Sequence, residues 1–319
     1  MNSVTELFDT KVILDDNFIH TQNSASTKVD NQSQTKDIFT DKWENVENYK
    51  DLETLYQTQY KWFFTLFGFK DEDDIKVFLA DKYFIIDAGC GLGYKAAWLA
   101  KLAPHATVIG IDISDSVYIA ARNFKQLQNL YFMQGDISHT NLKPASIDFV
   151  LCDQVIMHTE NPEQTFAHLS DITSINGQFA CYVYRKKALP REMIDDYFRI
   201  QTHNIANDKM WEFSEQLTVL GKALSDLKVN FECPDIPVLG IKGGTYDIQR
   251  FIYWNFLKCF WRDDWSFDLN KATNFDWYAP SNAKRYFKEE FETMIHDNKL
   301  NIIYFHEEEA CYSGRFIKK

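Results

Sequence analysis

Residues 83 to 93 have the sequence Tyr83-Phe84-Ile85-Ile86-Asp87-Ala88-Gly89-Cys90-Gly91-Leu92-Gly93. The consecutive apolar and aromatic residues at its start are typical of a strand that is buried on both faces, and the glycines spaced Gly-x-Gly-x-Gly allow a sharp backbone turn. The next run, Tyr94 to Ala103, contains strong helix formers and is followed by Pro104, which ends it. A strand, a glycine turn and a helix in this order form the first half of a nucleotide-binding βαβ unit.

A second buried strand, Thr107-Val108-Ile109-Gly110-Ile111-Asp112, ends in a carboxylate. In nucleotide-binding βαβ units, a carboxylate at this place grips the hydroxyls of a ribose, which suits an adenosine. The dinucleotide fingerprint Gly-x-Gly-x-x-Gly requires its third glycine one residue later than Gly93. The spacing therefore disfavours a pyrophosphate, and with it a nicotinamide cofactor.

Strands alternate with helices as far as about residue 185, which predicts a parallel, doubly wound sheet with a ligand crevice at the carboxyl ends of its strands. Ser114 begins a predicted helix that extends to about Leu127, and Asn161-Pro162-Glu163 begins another. The segment Phe179 to Tyr184 is predicted to be the fifth strand.

The ordered motifs resemble those of the class I S-adenosylmethionine-dependent methyltransferases. Ile86–Gly93 and Gly110-Ile111-Asp112-Ile113-Ser114 carry the resemblance first. Four further runs follow in the family's order, and together the motifs cover about residues 83 to 185. These runs are Leu130-Tyr131-Phe132-Met133-Gln134-Gly135-Asp136-Ile137, Ser146-Ile147-Asp148-Phe149-Val150-Leu151-Cys152-Asp153, Ile156-Met157-His158-Thr159 and Ile175-Asn176-Gly177-Gln178-Phe179-Ala180.

The resemblance implies an α/β fold, namely a doubly wound, Rossmann-like sheet of seven mostly parallel strands. A helical cap would be inserted after strand five, and an antiparallel C-terminal hairpin would close the sheet. It also implies S-adenosyl-L-methionine as cofactor, with Asp87 near the ammonium group, Asp112 on the ribose and Asp136 on the adenine amine. The expected cofactor-binding residues are Asp87, Gly89, Cys90, Gly91, Gly93, Asp112, Ile113, Asp136, Ile137, Asp153 and Gln154.

The expected segments are an N-terminal mobile segment (residues 1–36), lid helices with the cofactor-binding core (37–185), an aromatic substrate cap (186–282), and a last helix with two strands (283–319). Aromatic and other apolar residues from Phe39 to Phe67 predict one amphipathic helix that ends near Gly68. Phe39 and Trp43 would form a lid over the cofactor or merely cover the sheet, and the sequence favours neither.

Methyl transfer requires mainly that the acceptor, the methyl group and the sulfur be aligned and that water be excluded. His158, just past strand four, is a candidate general base because the ordinary pKa of histidine is close to neutral pH. Tyr184 and Arg185 at the end of strand five could orient an acceptor. Asp276 and Tyr278 could reach the site from Asn274–Pro280, which lacks periodicity and is predicted to be a shaped loop.

The composition of the 319-residue chain limits its partners. Its net charge of −12, without a block of Lys and Arg, disfavours nucleic acid and favours a small-molecule acceptor. The apolar runs are too short for a membrane span and we find no N-terminal leader, so we expect a soluble cytoplasmic protein. A homodimer stays open.

The six cysteines (Cys90, Cys152, Cys181, Cys233, Cys259 and Cys311) form no Cys-x-x-Cys pair, so we expect reduced thiols and no metal. Two alternative functions remain. One is another adenosyl chemistry on the same scaffold, such as aminopropyl transfer, cyclopropanation or use of a modified donor. The other is a non-catalytic partner subunit that binds the nucleoside or binds nothing at all.

Overall fold

The computed structural model describes residues 4–21, 30–202 and 204–319. Its helices are α1 (Asp30–Val46), α2 (Leu52–Phe67), α3 (Glu72–Leu79), α4 (Tyr94–Leu102), α5 (Ser116–Asn123), α6 (Pro162–Ile172), α7 (Leu189–Thr202), α8 (Asn207–Asp226), α9 (Ile248–Asn255), α10 (Phe267–Tyr278) and α11 (Lys288–Asp297). Its strands are β1 (Val12–Asp15), β2 (Phe18–Thr21), β3 (Phe84–Ala88), β4 (Thr107–Asp112), β5 (Leu130–Gln134), β6 (Ile147–Cys152), β7 (Thr173–Arg185), β8 (Asn230–Cys233), β9 (Gly244–Asp247), β10 (Arg285–Tyr286), β11 (Leu300–Glu307) and β12 (Cys311–Lys318). Short 3₁₀ turns cover Val4–Leu7, Ile156–His158 and Pro237–Leu239.

The main sheet has the order β1-β2-β5-β4-β3-β6-β7-β12-β11, and β10 pairs with β7. The strands from β5 to β7 in this order are parallel, and β12 and β11 continue the sheet as an antiparallel hairpin. This order confirms the predicted doubly wound α/β fold, to which the structure adds the short strands β1, β2 and β10. The central strand β3 carries the fully buried Ile85 and Ile86, whose side chains belong to the cores on opposite faces of the sheet.

The sequence predicted a mobile segment over residues 1–36, in which the apolar clusters before Asn23 could dock as an arm. In the part of the chain that the structure describes, β1 and β2 pair with each other, and β2 adds to β5 through the register pair Phe18 and Phe132. Burial of Leu7, Phe8 and Ile19 against the sheet offsets the entropy of ordering this segment. Residues 30–36 are helical, and residues 1–3 and 22–29 of the predicted segment lie outside the described residues.

The predicted single helix before Gly68 is two helices, α1 and α2, separated at residues 47–51. Asn48 and Asp51 in this break have low helix propensity, and α2 begins directly after Asp51. The predicted end is correct, because Gly68 closes α2 in a left-handed conformation with φ of 70°. A Cβ at Gly68 would lie 2.5 Å from the Tyr304 ring, so the close packing of α2 on β11 also requires glycine.

Residues 186–282 contain α7 to α10 and the small hairpin of β8 and β9, and we call this segment the cap. The predicted loop Asn274–Pro280 is mostly helical, because α10 extends to Tyr278. We found no periodicity there because α10 is buried on several sides, with Asn274, Phe275, Trp277 and Tyr278 all inside the cap core. None of the helices in the described part of the chain is long and apolar enough to cross a membrane.

Candidate active site

A cavity of about 800 Å³ lies at the carboxyl ends of the parallel strands, between the sheet, α1 and the cap. Most of the predicted site residues line it: Asp87, Gly89, Cys90, Gly91, Asp112, Ile113, Asp136, Ile137, Asp153, Gln154, His158, Tyr184 and Asp276. We call the lining from the ends of β3 to β6 (residues 87–95, 112–113, 135–137 and 153–155) the strand-end half. The lining from residues 187–277 is the cap half.

The glycine turn after β3 approaches the cavity with its backbone. Gly89 and Gly91 have φ values of 89° and 52°, which side chains rarely adopt. A Cβ at Gly91 would lie 3.0 Å from the ring of Trp43, which lines the cavity from α1. Trp43 packs against the turn, so a side chain at Gly91 would displace it, and the turn presents a cradle of backbone atoms to the cavity.

Gly93 was predicted to bind the cofactor, but it does not line the cavity. It precedes α4 with φ of 77°, and a Cβ there would lie 2.8 Å from the Cβ of Ala120 and 2.7 Å from the ring of Phe132. Gly93 therefore allows α4, α5 and β5 to pack closely.

Asp112 at the end of β4 is held by three hydrogen bonds. Its Oδ2 accepts from the Gly91 amide at 2.7 Å, and its Oδ1 accepts from the Ser114 amide and hydroxyl at 2.8 and 2.6 Å. Ser114 was predicted to cap α5, but its hydroxyl orients Asp112 instead. These bonds fix the carboxylate beside the glycine turn, where it can accept from a polyhydroxylated ligand.

Asp87 has a buried carboxylate oxygen, Oδ2, that makes no hydrogen bond to any described residue. Burial is the main cause that raises the pKa of this carboxyl to about 7, while Lys95 opposes the rise. An unpartnered buried acceptor that lines a cavity is costly unless a ligand donates to it.

Lys95 is a site residue that the sequence reasoning missed. Its ammonium group forms a buried ion pair with Asp153, and both residues line the cavity. The sequence did contain a signal for it. Lys95 is the second residue of α4, and the start of this helix lies directly beside the strand ends. Gln154 also lines the cavity, and its Nε2 donates a 2.8 Å hydrogen bond to Gln59 Oε1.

His158 lies between the two halves and is buried. Its Nδ1 is 2.6 Å from the carbonyl oxygen of Asn282, which can only accept, so Nδ1 carries the proton. Its Nε2 then accepts from the Tyr184 hydroxyl at 3.3 Å. Burial lowers the pKa of His158 to about 4, so the imidazole is neutral at pH 7 and a weaker base than the sequence suggested.

Two predicted catalytic residues lie outside the cavity lining. The Arg185 guanidinium is 3.2 Å from Glu307 and donates to the Glu308 carbonyl oxygen, on the far side of β7. The Tyr278 hydroxyl is buried in the cap and donates to Asp195 at 2.7 Å. Side chains alternate along a strand, so Tyr184 and its neighbour Arg185 cannot both face the cavity.

Asp276 does reach the cavity, from α10. Its carboxylate accepts from Lys42 of α1 at 2.7 Å and lies 3.9 Å from Lys258 of the cap. The lining also contains the two candidate lid residues, Phe39 and Trp43, and aromatic side chains that were not among the predicted site residues: Trp62, Tyr182, Tyr253, Trp254 and Trp277. Phe39 and Trp43 thus line the cavity as the lid interpretation requires.

His306, Glu308 and Cys311 are a group within the described chain whose possible ligand atoms lie within 4.8 Å of one another. Burial and the nearby Glu308 raise the pKa of the Cys311 thiol well above its usual range, which disfavours the thiolate that a metal would need. The absence of a metal stays a prediction.

Comparison with known proteins identifies relatives for part of the chain. Residues 79–224 match a family model described as a methyltransferase domain. Trans-aconitate 2-methyltransferase of Deinococcus radiodurans is 39% identical over 99 residues, which are 31% of this chain and 37% of that protein. Malonyl-[acyl-carrier protein] O-methyltransferase of Halalkalibacterium halodurans is 31% identical over 97 residues, 29% of this chain and 36% of that protein.

The matched part of this chain therefore spans little more than a third of these two relatives. Among solved structures, magnesium protoporphyrin IX methyltransferase (ChlM) from Synechocystis PCC 6803 with bound SAH aligns with a TM-score of 0.47 and 16% sequence identity. That alignment covers 90% of this chain and 100% of the other.

Proposed function

We propose that residues 79–224, which match a methyltransferase domain, belong to the class I S-adenosylmethionine-dependent methyltransferases, and that the chain transfers a methyl group from S-adenosylmethionine to a small-molecule acceptor. The observation that supports this most strongly is the convergence of the loops after β3, β4 and β5 on one cavity. Each loop tip contributes glycines or a carboxylate to the lining, and these are the groups that hold a nucleoside in this family.

The residues of the strand-end half fit the cofactor. The unpartnered Asp87 Oδ2 suits the ammonium group of its methionyl part, and the cradle at Gly91 presents its backbone to the same cavity. Asp112 is oriented beside that cradle to accept from ribose hydroxyls. Asp136 and Ile137 line the wall next to it, where the adenine would lie.

The cofactor supplies a methyl group activated by a positively charged sulfur. In the proposed reaction, a lone pair on the acceptor forms a bond to the methyl carbon, the carbon–sulfur bond breaks, and its electron pair stays on sulfur. An acceptor that binds protonated also loses a proton. The chain contributes alignment and a dry cavity, because Tyr184, Trp277 and Phe39 enclose the space next to the strand ends.

The Tyr184 hydroxyl and His158 form a polar pair in the cavity lining, at the boundary of the two halves. With its Nδ1 proton held by Asn282, His158 presents an unprotonated Nε2 to Tyr184. We assign His158 the role of orienting Tyr184, which in turn can orient the acceptor. A proton transferred to this pair would pass through the tyrosine oxygen.

Calorimetric titration of the purified chain with S-adenosylmethionine and S-adenosylhomocysteine tests the proposal. Both should bind, and Asp112→Asn should weaken binding by about 1 to 3 kcal/mol because a charged hydrogen-bond acceptor is lost. Asp148→Asn is the matched control. Asp148 accepts from the Tyr83 and Phe84 amides at the opposite end of β3, so its loss should lower stability but leave cofactor affinity unchanged.

Absence of binding by either nucleoside would contradict the proposal and favour a non-catalytic partner subunit. With binding established, acceptors are incubated with S-adenosylmethionine and, separately, with its decarboxylated form, which carries an aminopropyl group on sulfur. Mass analysis of the products then distinguishes methyl transfer from aminopropyl transfer. Gain of an aminopropyl unit would replace the methyltransferase assignment.

A further inference from the structure

The cap half of the cavity carries more cationic than anionic side chains. Lys187, Arg191, Arg250, Lys258 and Arg262 line it from the cap, and Lys42 faces it from α1. The carboxylates in this part of the lining are Asp264, Asp276 and Glu308. The chain as a whole has a net charge of −12, so a cationic interior is not a consequence of composition.

Two of these cations are already neutralised. Arg191 is paired with Asp195 at 2.8 Å, and both side chains are almost fully buried. Arg262 forms two hydrogen bonds to Asp264, at 2.9 and 2.6 Å. In each pair a carboxylate compensates the cation, so these two residues leave little positive charge for a ligand.

The remaining cations lack a carboxylate of their own. Within the described parts of the chain, Lys187 and Arg250 form no ion pair, and the hydrogen bonds that they donate go to backbone carbonyl oxygens. Lys187 donates to Arg185 and Ala310 at 2.6 and 3.1 Å, and Arg250 donates to Trp261 at 3.0 Å. Lys42 and Lys258 share the single carboxylate of Asp276.

Burial makes this excess charge unfavourable in the absence of a ligand. The side chain of Lys258 is 7% exposed, and burial lowers its pKa to about 8. Burial and the nearby Arg191 lower the pKa of Lys187 to about 7. An anion between these groups would restore the charged form of both lysines.

Aromatic rings flank the same ammonium groups. Lys258 Nζ lies 4.5 Å from the centre of the Trp277 ring, and Lys187 Nζ lies 5.6 Å from that of Trp254. Trp277 also contacts the Tyr184 ring, with 4.8 Å between centroids. The cationic groups therefore lie in an apolar wall that suits a planar or hydrocarbon body.

The geometry points to an organic anion as the acceptor, with its carboxylate or phosphate group held by Lys187 and Lys258 and its apolar body against Trp254 and Trp277. This inference rests on the proposed function and specifies its substrate class. The anionic group anchors the acceptor in the cap half. The atom that receives the methyl group lies toward Tyr184.

The test uses the full chain saturated with S-adenosylhomocysteine and titrated with cinnamate, cinnamamide and phenyl phosphate. Cinnamate should bind and cinnamamide should bind at least about tenfold more weakly, because the amide has the same shape without the charge. Binding of phenyl phosphate in place of cinnamate would identify a phosphate as the anionic group. Equal binding of acid and amide, or no binding of either anion, would overturn the inference.

Lys187→Gln and Lys258→Gln should each weaken anion binding by about tenfold or more, and Lys258→Arg should retain most of it. Lys186→Gln is the matched control. Lys186 is adjacent in sequence but contacts Glu290 and Phe287 outside the cavity, so its substitution should leave anion binding unchanged.

Affinity for S-adenosylhomocysteine is measured for every variant and should not change. If it falls in parallel with anion binding, the lysines hold the cofactor, and the inference is wrong while the proposed function stands. If wild-type protein binds no S-adenosylhomocysteine, the proposed function fails by itself, and anion binding is then measured without it.

Discussion

The two halves of the cavity differ in charge and come from different parts of the sequence. The strand-end half is lined by Asp87, Asp112, Asp136 and Asp153 with Lys95 as its buried cation, whereas the cap half has an excess of lysine and arginine. A positively charged sulfonium donor is complementary to the first half and an anionic acceptor to the second. This difference in charge supports the proposal that a cationic donor and an anionic acceptor would bind in different halves of the cavity.

The largest expected effect concerns the framework of the cap half. Asp195 accepts from Arg191 at 2.8 Å, from Trp277 at 2.9 Å and from Tyr278 at 2.7 Å, all buried. Asp195→Ala should lower the free energy of unfolding by about 3 to 5 kcal/mol, because Arg191 becomes an unpaired buried charge. Urea denaturation measures the change.

Asp226→Ala is the control for that variant, because Asp226 forms an exposed pair with Lys222 and should cost less than about 1 kcal/mol. If Asp195→Ala is equally mild, the cap half is not organised around this carboxylate.

A pH effect of intermediate size concerns His158, at the boundary between the halves. Its pKa is about 4 in the folded chain, below the ordinary value of about 6.5, so the unfolded chain binds more protons between these values. Stability that is present at pH 7 is therefore lost as the pH falls, by about 2 kcal/mol at pH 5.

Urea denaturation at pH 7 and pH 5 should show that His158→Asn removes this part of the pH dependence. The turnover of the wild type should not change around pH 6.5 through titration of His158. The result against this expectation would be a change in turnover near pH 6.5 that is present in the wild type and absent in His158→Asn. Such a change would mean that His158 titrates as a general base and does not remain neutral.

The smallest expected effect sharpens the contrast in charge. Asp276→Asn removes the carboxylate that Lys42 and Lys258 share. Affinity for cinnamate should rise by about three- to tenfold, corresponding to roughly 1 kcal/mol, while affinity for S-adenosylhomocysteine stays unchanged. A loss of turnover that tighter anion binding cannot explain would instead assign Asp276 a direct part in the reaction.

The strand-end half could be predicted from the sequence because its residues follow buried strands at fixed places. Asp87, Asp112 and Asp136 each occur just before or after a strand end, and parallel strands bring those ends together. Gly93 was predicted at the site but does not line the cavity, because a glycine that permits close helix packing has the same local signature as one that faces a ligand.

The cap half could not be predicted in this way. Lys42, Lys187 and Lys258 come from three distant segments that only tertiary packing brings together. Tyr278 and Arg185 were assigned to the site from their place in the chain, but the direction of a side chain depends on what its element packs against. The helix over most of Asn274–Pro280 was not predicted because α10 is buried on several sides. Its sequence therefore lacks the apolar periodicity by which a helix is recognised.

Two consecutive residues of α1 join the compartments of different charge. Lys42 binds Asp276 of the cap, while Trp43 lies against the glycine turn at Gly91. Because neighbouring positions on a helix move as one body, a displacement of α1 that uncovers the turn also separates the ion pair. Such a displacement of α1 would open both compartments to solvent at once.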